Sequence, residues 1–240
     1  MQTQIQIIKY SAIYLIFLYS LAYMVSAHGA NNSIYITQSG GSSALTMNID
    51  QIGNSNVVGT TQARVSLAGT SMTVDVDQIG DSNVIAATIA QGASSSFTLR
   101  STGDSNTQTL AVGGTGDTAG SDFDFAAVGD SNVLTYTAGA AATATSGNTD
   151  IVIAGTSNNL NIVSEVVGAT NNWDVDGDSN DIDTSQTGNA NHSITADITG
   201  NTNNIDIDQT NSGGSTSGIV DIVAITTGGL IDIDQCTSGC

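Results

Sequence analysis

The chain has no proline, only three Lys and Arg residues and only two cysteines among its 240 residues. The absence of proline suits a protein made of β-strands, because every strand amide can then donate a hydrogen bond. The formal net charge of −19 disfavours nucleic-acid binding, since contact with phosphates depends on clustered Lys and Arg. We therefore expect no nucleic-acid partner.

Catalytic side chains are also scarce. The sequence holds two histidines, a single glutamate (Glu165) and a single lysine (Lys9). Serine and aspartate are abundant, but so few His and Lys bases cannot activate a nucleophilic triad. We predict that the chain is not an enzyme and needs neither a cofactor nor a catalytic metal.

Residues 1–27 have the pattern of a secretory signal peptide. Lys9 precedes an apolar run from Ala12 to Val25, and Val25 and Ala27 suit the third-last and last positions before a cleavage point. We predict cleavage after Ala27, a secreted or cell-surface protein, and a repeat domain over residues 28–240. An uncleaved membrane anchor is the alternative, because the run approaches the length of a short span.

Both cysteines, Cys236 and Cys240, lie in the last five residues. In an exported chain they are free to form a local disulfide, although so small a loop adds little stability. A link between two chains is equally open.

A four-residue element, Gly-x-x-Asn, punctuates the sequence at intervals of 22 to 27 residues. Glycine and asparagine tolerate the left-handed backbone that tight turns require, so these elements are predicted turns. The glycines at this spacing are Gly53, Gly80, Gly103, Gly129, Gly155, Gly177 and Gly200, and the turn glycines that we expect to support assembly are Gly53, Gly80 and Gly188.

Between the turns, residue character alternates with a period of two. Met72, Val74, Val76 and Gln78 fall on one face, while polar residues such as Asp75 fall on the other. This pattern is typical of half-buried strands. It is equally clear around Phe123 and Phe125, and around Leu134 and Tyr136, where glutamine is missing.

A strand–turn–strand unit of this length cannot bury its apolar side alone, but a stack of such units can. We predict an all-β fold, a β-solenoid of about eight two-strand rungs with amyloid-type parallel stacking at about 4.8 Å. Buried amides would form ladders from rung to rung, made by Gln51, Gln62, Gln78, Gln91, Gln186, Gln209, Gln235, Asn56, Asn83, Asn180 and Asn203. A disordered, low-complexity chain is the main alternative.

The segment from Gln51 to Gln62 reads Gln-Ile-Gly-Asn-Ser-Asn-Val-Val-Gly-Thr-Thr-Gln. It resembles the repeat of the curlin family, and the segments that begin at Gln78 and Gln186 match the centre of that repeat. The resemblance implies an extracellular curli-like functional amyloid subunit that polymerises with itself into biofilm fibres, with a nucleator and an outer-membrane secretion pore as partners. Longer rungs, a more acidic charge and the terminal cysteines depart from the family.

Aspartates recur in the last three rungs as Asp181 and Asp183, Asp206 and Asp208, and Asp232 and Asp234. We expect each pair to occupy the same outward positions, which gives two columns of like charge that repel. Salt, or weakly bound divalent cations, would then favour assembly. The second candidate function is a monomeric, capped β-solenoid that binds a surface, calcium or ice.

Overall fold

A computed structural model describes residues 6–8, 12–17, 22–28, 31–38, 42–59, 65–91, 93–112, 120–139, 147–165, 168–188, 192–211 and 218–237. All regular structure in these residues is β-strand. No helix in this part of the chain is long and apolar enough to cross a membrane.

The described residues form 22 strands. In chain order they are β1 (Gln6–Ile8), β2 (Ala12–Phe17), β3 (Ala22–His28), β4 (Asn31–Gln38), β5 (Ser42–Ser43), β6 (Thr46–Ile52), β7 (Ser55–Val58), β8 (Val65–Thr70), β9 (Thr73–Ile79), β10 (Ser82–Gln91), β11 (Ser96–Thr102), β12 (Ser105–Val112), β13 (Asp122–Val128), β14 (Ser131–Ala138), β15 (Asn148–Ala154), β16 (Asn159–Ser164), β17 (Thr170–Asp176), β18 (Asp181–Gly188), β19 (Ser193–Thr199), β20 (Asn203–Asn211), β21 (Ile219–Ile225) and β22 (Gly229–Thr237).

These strands form two sheets, which we name the long sheet and the short sheet. The long sheet has 13 strands in the order β1-β2-β4-β7-β10-β12-β14-β16-β18-β20-β22, with β5 and β8 beside this path. The short sheet has nine strands, in the order β21-β19-β17-β15-β13-β11-β9-β6-β3. From β9 onward, consecutive strands of the chain thus alternate between the sheets, and each pair, such as β9 and β10, makes one rung.

The predicted β-solenoid is confirmed. Strands of successive rungs pair in parallel and in register, as in β9 with β11 and β10 with β12. From Thr46 onward the short sheet contains β6, β9, β11, β13, β15, β17, β19 and β21, in agreement with a prediction of about eight rungs. This register fixes which side chains of neighbouring rungs lie above one another.

The alternation predicted from the sequence matches the observed burial. In β9, Val74, Val76 and Gln78 are buried while Thr73 and Ile79 are exposed. Phe123, Phe125, Leu134 and Tyr136 likewise face the core. Buried aliphatic and aromatic side chains form one continuous hydrophobic cluster between the two sheets, from Ile34 to Ile207.

Aromatic rings fill the core of the middle rungs. Phe97 and Phe123 stack with their ring centroids 5.3 Å apart and their planes 6° apart. Tyr136 of the facing sheet lies 5.4 Å from Phe123 and 5.3 Å from Phe125, measured between centroids. Burial raises the pKa of the Tyr136 hydroxyl, so it stays neutral.

The segment predicted as a signal peptide lies partly within the described residues. Its described parts form β1, β2 and β3, of which β2 pairs with β4 and β3 pairs with β6. These contacts belong to the unprocessed chain, so cleavage after Ala27 stays a prediction. Cys236 lies in β22, but Cys240 lies outside the described residues, so a disulfide between them stays a prediction too.

Candidate assembly site: amide ladders and an open end

An unbroken ladder of asparagine side chains runs through the solenoid. In each step the Nδ2 of one asparagine donates to the Oδ1 of the asparagine in the next rung. The members are Asn32, Asn56, Asn83, Asn106, Asn132, Asn158, Asn180 and Asn203, and the seven donor–acceptor distances are 3.3, 3.1, 2.8, 2.8, 2.9, 2.8 and 3.0 Å in that order. All eight side chains are buried.

The ladder asparagines from Asn56 to Asn203 also close their own turns. The Nδ2 of Asn106 donates to the carbonyl of Gly103, 2.9 Å away in the same turn, and to that of Val128, 3.0 Å away in the next rung. Amide groups buried this way find partners along the stack, so their burial costs little.

The turn glycines allow the rungs to approach at this point. A Cβ on Gly80 would lie 1.8 Å from the carbonyl oxygen of Gly53, and one on Gly129 would lie 1.5 Å from that of Gly103. A side chain larger than hydrogen therefore cannot fit without moving the backbone.

The sequence pattern predicts half of this ladder. Asn56, Asn83, Asn180 and Asn203 are the predicted members, and the structure places all four in the ladder. The prediction omits Asn32, Asn106, Asn132 and Asn158. Three of these end predicted Gly-x-x-Asn turns, so the sequence carries the signal, although turn chemistry alone does not show that the asparagine is buried.

The glutamines form two short ladders in different sheets. In the short sheet, Nε2 of Gln78 donates to Oε1 of Gln51 over 2.7 Å. In the long sheet, Gln209 donates to Gln186 and Gln235 donates to Gln209, each over 2.8 Å. The glutamine ladders thus lie near opposite ends of the stack.

The other predicted assembly residues have different settings. Gln62 lies outside the described residues, as does the side chain of Gln91, which follows a register shift in β10. Gly53 lies in a turn, where its amide donates to the carbonyl of Ile79. Gly188 is the last residue of β18, paired with Asn211, and residues 189–191 that follow it lie outside the description.

The predicted aspartate columns are confirmed for Asp206 with Asp232 and for Asp208 with Asp234, but the predicted register of Asp181 and Asp183 is wrong. Asp181 aligns with Asn204 and Leu230. The asparagine ladder causes the shift: Asn180 and Asn203 are aligned, but they precede their first outward aspartates by one and three residues. The observed columns are Asp183–Asp206–Asp232 and Ser185–Asp208–Asp234.

Acidic groups on the short sheet are also close together. Asp124 lies directly opposite Asp150. Partial burial, then the charges of Asp150 and Asp122, raise the pKa of Asp124. One basic side chain relieves this crowding nearer the amino terminus, where Arg100 forms ion pairs of 2.8 Å with Asp75 and 2.5 Å with Asp77.

A hollow of about 400 Å³ lies on the outer face of the short sheet, over β15 to β21. Asp150, Asp174, Asp197 and Asp221 line it. Burial, followed by the charges of Asp176 and Asp197, raises the pKa of Asp174. Among the described residues, no group of three or more His, Cys, Asp or Glu side chains is arranged to hold a metal ion.

The core near the carboxyl end contains polar groups without partners in the described residues. Both ring nitrogens of His192, both side-chain polar atoms of Asn171 and the Nε2 of Gln186 are buried and make no hydrogen bond there. Burial lowers the pKa of His192, because its charged form loses hydration. These rungs are therefore less well satisfied than those of the middle.

Among the described strands, none lies beyond the last rung, β21 with β22. Ile205 and Ile207 of β20 are fully buried, whereas Ile231 and Ile233, which are paired with them in β22, are 43% and 40% exposed. Outward positions of this rung are apolar as well, at Ile219, Val223, Ile225 and Leu230. Within the described residues, the stack thus presents an uncovered apolar core and two strand edges at β21 and β22.

Comparison with protein-family models, with curated proteins and with solved structures gave no match. The sequence resemblance to the curlin repeat therefore has no independent support from relatives, and the geometry of the chain is what supports a function.

Proposed function

We propose that this chain is a secreted structural subunit that adds end to end to form extracellular curli-like amyloid fibres. Such fibres would serve as biofilm matrix and in adhesion and cell aggregation. The chain itself is the main partner, and a nucleator and an outer-membrane secretion pore are the accessory partners that this role requires.

The uncovered last rung is the observation that carries the proposal. A monomeric solenoid normally protects its ends with a polar cap, because stacked repeats leave their core open at both termini. Here the final rung keeps the inward apolar pattern of the rungs below it and adds apolar residues on its outer face. Stacking of a second copy would bury Ile231 and Ile233 as Ile205 and Ile207 are buried.

The free edges of β21 and β22 are where the strands of a second copy can pair. One side of β21 pairs with β19 and one side of β22 pairs with β20, which leaves the other sides as edges within the described residues. Edge strands add further strands through backbone hydrogen bonds. Gln235 extends the glutamine ladder to this edge, since its Nε2 donates downward to Gln209.

A monomeric binding module is the second candidate. The acidic hollow over β15 to β21 favours it, because a cationic ligand could approach the four aspartates there. Such a protein would remain monomeric, so its state of association separates the two functions.

To test the proposal, the secreted chain is diluted from denaturant and followed by thioflavin fluorescence, electron microscopy and fibre diffraction. We expect filaments with a reflection at about 4.8 Å along the fibre axis. Ile233→Lys should stop growth because it buries an unpaired charge at the joint. Val133→Lys, at an exposed outward position on the side of the solenoid, is the matched control and should not. A soluble, β-rich monomer at every concentration would contradict the proposal.

A further inference from the structure

Strand β3, which contains the predicted cleavage point, and β4, which follows it, repeat the spacing of the later rungs. Ala22 of β3 pairs with Thr46, and Asn32 of β4 pairs with Asn56. Ten positions separate Ala22 from Asn32, and ten separate Thr46 from Asn56. The same spacing holds in the seven later rungs, for Thr73–Asn83, Ser96–Asn106, Asp122–Asn132, Asn148–Asn158, Thr170–Asn180, Ser193–Asn203 and Ile219–Gly229.

The connections on the other side of the solenoid do not keep this regularity. From each ladder position to the start of the next short-sheet strand they vary between 12 residues, from Asn158 to Thr170, and 17, from Asn56 to Thr73. The constant spacing is therefore a property of the strand–turn–strand segment of each rung, and the segment from β3 to β4 has the same spacing.

The sequence around the cleavage point has the same pattern. Gly29 to Asn32 is a Gly-x-x-Asn element like Gly53 to Asn56. Before it, Tyr23, Val25 and Ala27 take the register positions of Met47, Ile49 and Gln51. The repeat thus begins at Tyr23, five residues before His28.

The strands present at the two ends of the chain decide whether two copies can join. Among the described strands, a chain that begins at His28 has β4 first and β22 last, and both lie in the long sheet. Stacking β22 on β4 of another copy would leave β21 and β6 separated by the width of one missing strand. In an unprocessed chain, β2 covers the edge of β4 instead. Only a chain that keeps β3 and loses β1 and β2 has matching ends.

We propose that β3 is the first strand of the repeat domain, that the leader is removed after Ala22, and that the β3–β4 rung of one copy stacks on β21–β22 of another. Ser20 and Ala22 are small residues at the third-last and last positions, as signal peptidase requires. The joint rests on the proposed function, whereas the processing point does not. In the repeated register, Val220 lies opposite Tyr23 and Ile231 lies opposite Ile34.

The test uses the full-length gene expressed in a secreting bacterial host. The intact mass of the secreted chain gives its first residue, and growth on preformed fibres gives its elongation rate. Ala22→Val blocks the earlier cleavage point because valine is not a small residue. Ala27→Val blocks the later one and suits β3, since Ile153 and Val175 occupy the equivalent position in their rungs.

We expect the wild-type chain and Ala27→Val to begin at Tyr23 and to elongate fibres. Ala22→Val should begin at His28 and lose elongation, and a synthetic peptide of residues 23–30 should restore it by filling the missing strand. If Ala22→Val is not processed, Val25→Pro, which removes a ladder donor from β3, should lose elongation while Val25→Thr keeps it.

A wild-type chain that begins at His28 and elongates fibres would overturn the proposal. So would equal elongation by Val25→Pro and Val25→Thr chains that both begin at Tyr23. If the wild-type chain begins at Tyr23 but neither it nor any variant forms fibres, the processing point is supported and the fibre function fails. The two failures are therefore distinguishable.

Discussion

The middle rungs, β11 to β14, and the last three rungs, β17 to β22, share one backbone plan but are stabilised differently. In the middle, one inward column of the short sheet holds Phe97 and Phe123, whose rings stack. Further along the same column lies Asn171, whose side chain has no hydrogen-bond partner in the described residues. The middle core thus contains stacked aromatic rings, whereas the core of the last rungs is mainly aliphatic and includes buried polar groups without partners among the described residues.

This difference separates interactions that stabilise rungs within one molecule from interactions that can continue into another copy. Aromatic burial stabilises a rung within one molecule, and it is concentrated where both neighbouring rungs belong to that molecule. Glutamine ladders lie nearer the ends, at Gln51 and Gln78 and at Gln186, Gln209 and Gln235. A ladder can continue into another copy, because each added amide supplies both a donor and an acceptor.

The largest expected effect concerns the aromatic core. Phe123→Ala should lower the free energy of unfolding by about 3 to 5 kcal/mol, since it removes the ring between Phe97 and Tyr136 and leaves a cavity. Denaturant unfolding measures this change. Val133→Ala, at an exposed position of the neighbouring strand, is the control and should change stability little. Equal losses in the two variants would show that the middle core is not the stabilising region.

The asparagine ladder should matter equally in both regions. Asn106→Ala in the middle and Asn180→Ala near the end should each cost about 1 to 3 kcal/mol, because each leaves buried amide groups of its neighbours unpaired. Asn161→Ala, which alters an exposed asparagine, should be close to neutral. A much smaller cost at Asn106 than at Asn180 would mean that aromatic packing compensates for the ladder.

The buried histidine should make the end of the solenoid sensitive to acid. Burial lowers the pKa of His192 below its ordinary value of 6.5, so the unfolded chain binds a proton more readily than the folded one. Stability is therefore complete above about pH 6.5 and falls below it, by at most about 1.4 kcal/mol per pH unit. His192→Met should remove this slope, which unfolding measured between pH 5 and 8 would detect. An unchanged slope would exclude His192 as its cause.

The smallest effect concerns like charges on the outer face of the middle rungs. Asp124→Asn should raise stability by about 0.5 kcal/mol at low salt, because it removes repulsion from Asp150. The pKa of Asp124 is raised, so acid should stabilise the wild-type chain as this group takes up its proton and should not do so for the variant. Thermal unfolding at two salt concentrations measures the gain, which salt should abolish. Asp81→Asn, in an exposed turn, is the control.

Much of the architecture is predictable because its causes are local. Alternation places Val74, Val76 and Gln78 inside. Glycine with asparagine marks the turns, since glycines such as Gly177 and Gly200 take positive φ and the asparagine side chains donate to the turn carbonyls. The amide ladder is a consequence of these two features, because in-register stacking of identical turns brings Asn56 and Asn83 together.

Register depends on which residues the ladder aligns, and alternation alone does not show it. The sequence pattern predicts Asp181 above Asp206, but alignment of Asn180 with Asn203 places Asp183 there instead. The predicted ladder glutamines also divide between the two sheets, since Gln78 lies in β9 and Gln186 lies in β18. In both cases the position of the side chain relative to its Gly-x-x-Asn turn decides its column.

The amino-acid sequence by itself therefore determined the period, the turns and the division into inward and outward residues, because each depends on neighbours within a few positions. Only the tertiary structure decided which residues share a column and, within the described residues, which polar groups of the core have no partner and which rung no other strand covers. Those properties depend on contacts between residues about 20 or more positions apart, which form only when the rungs have stacked.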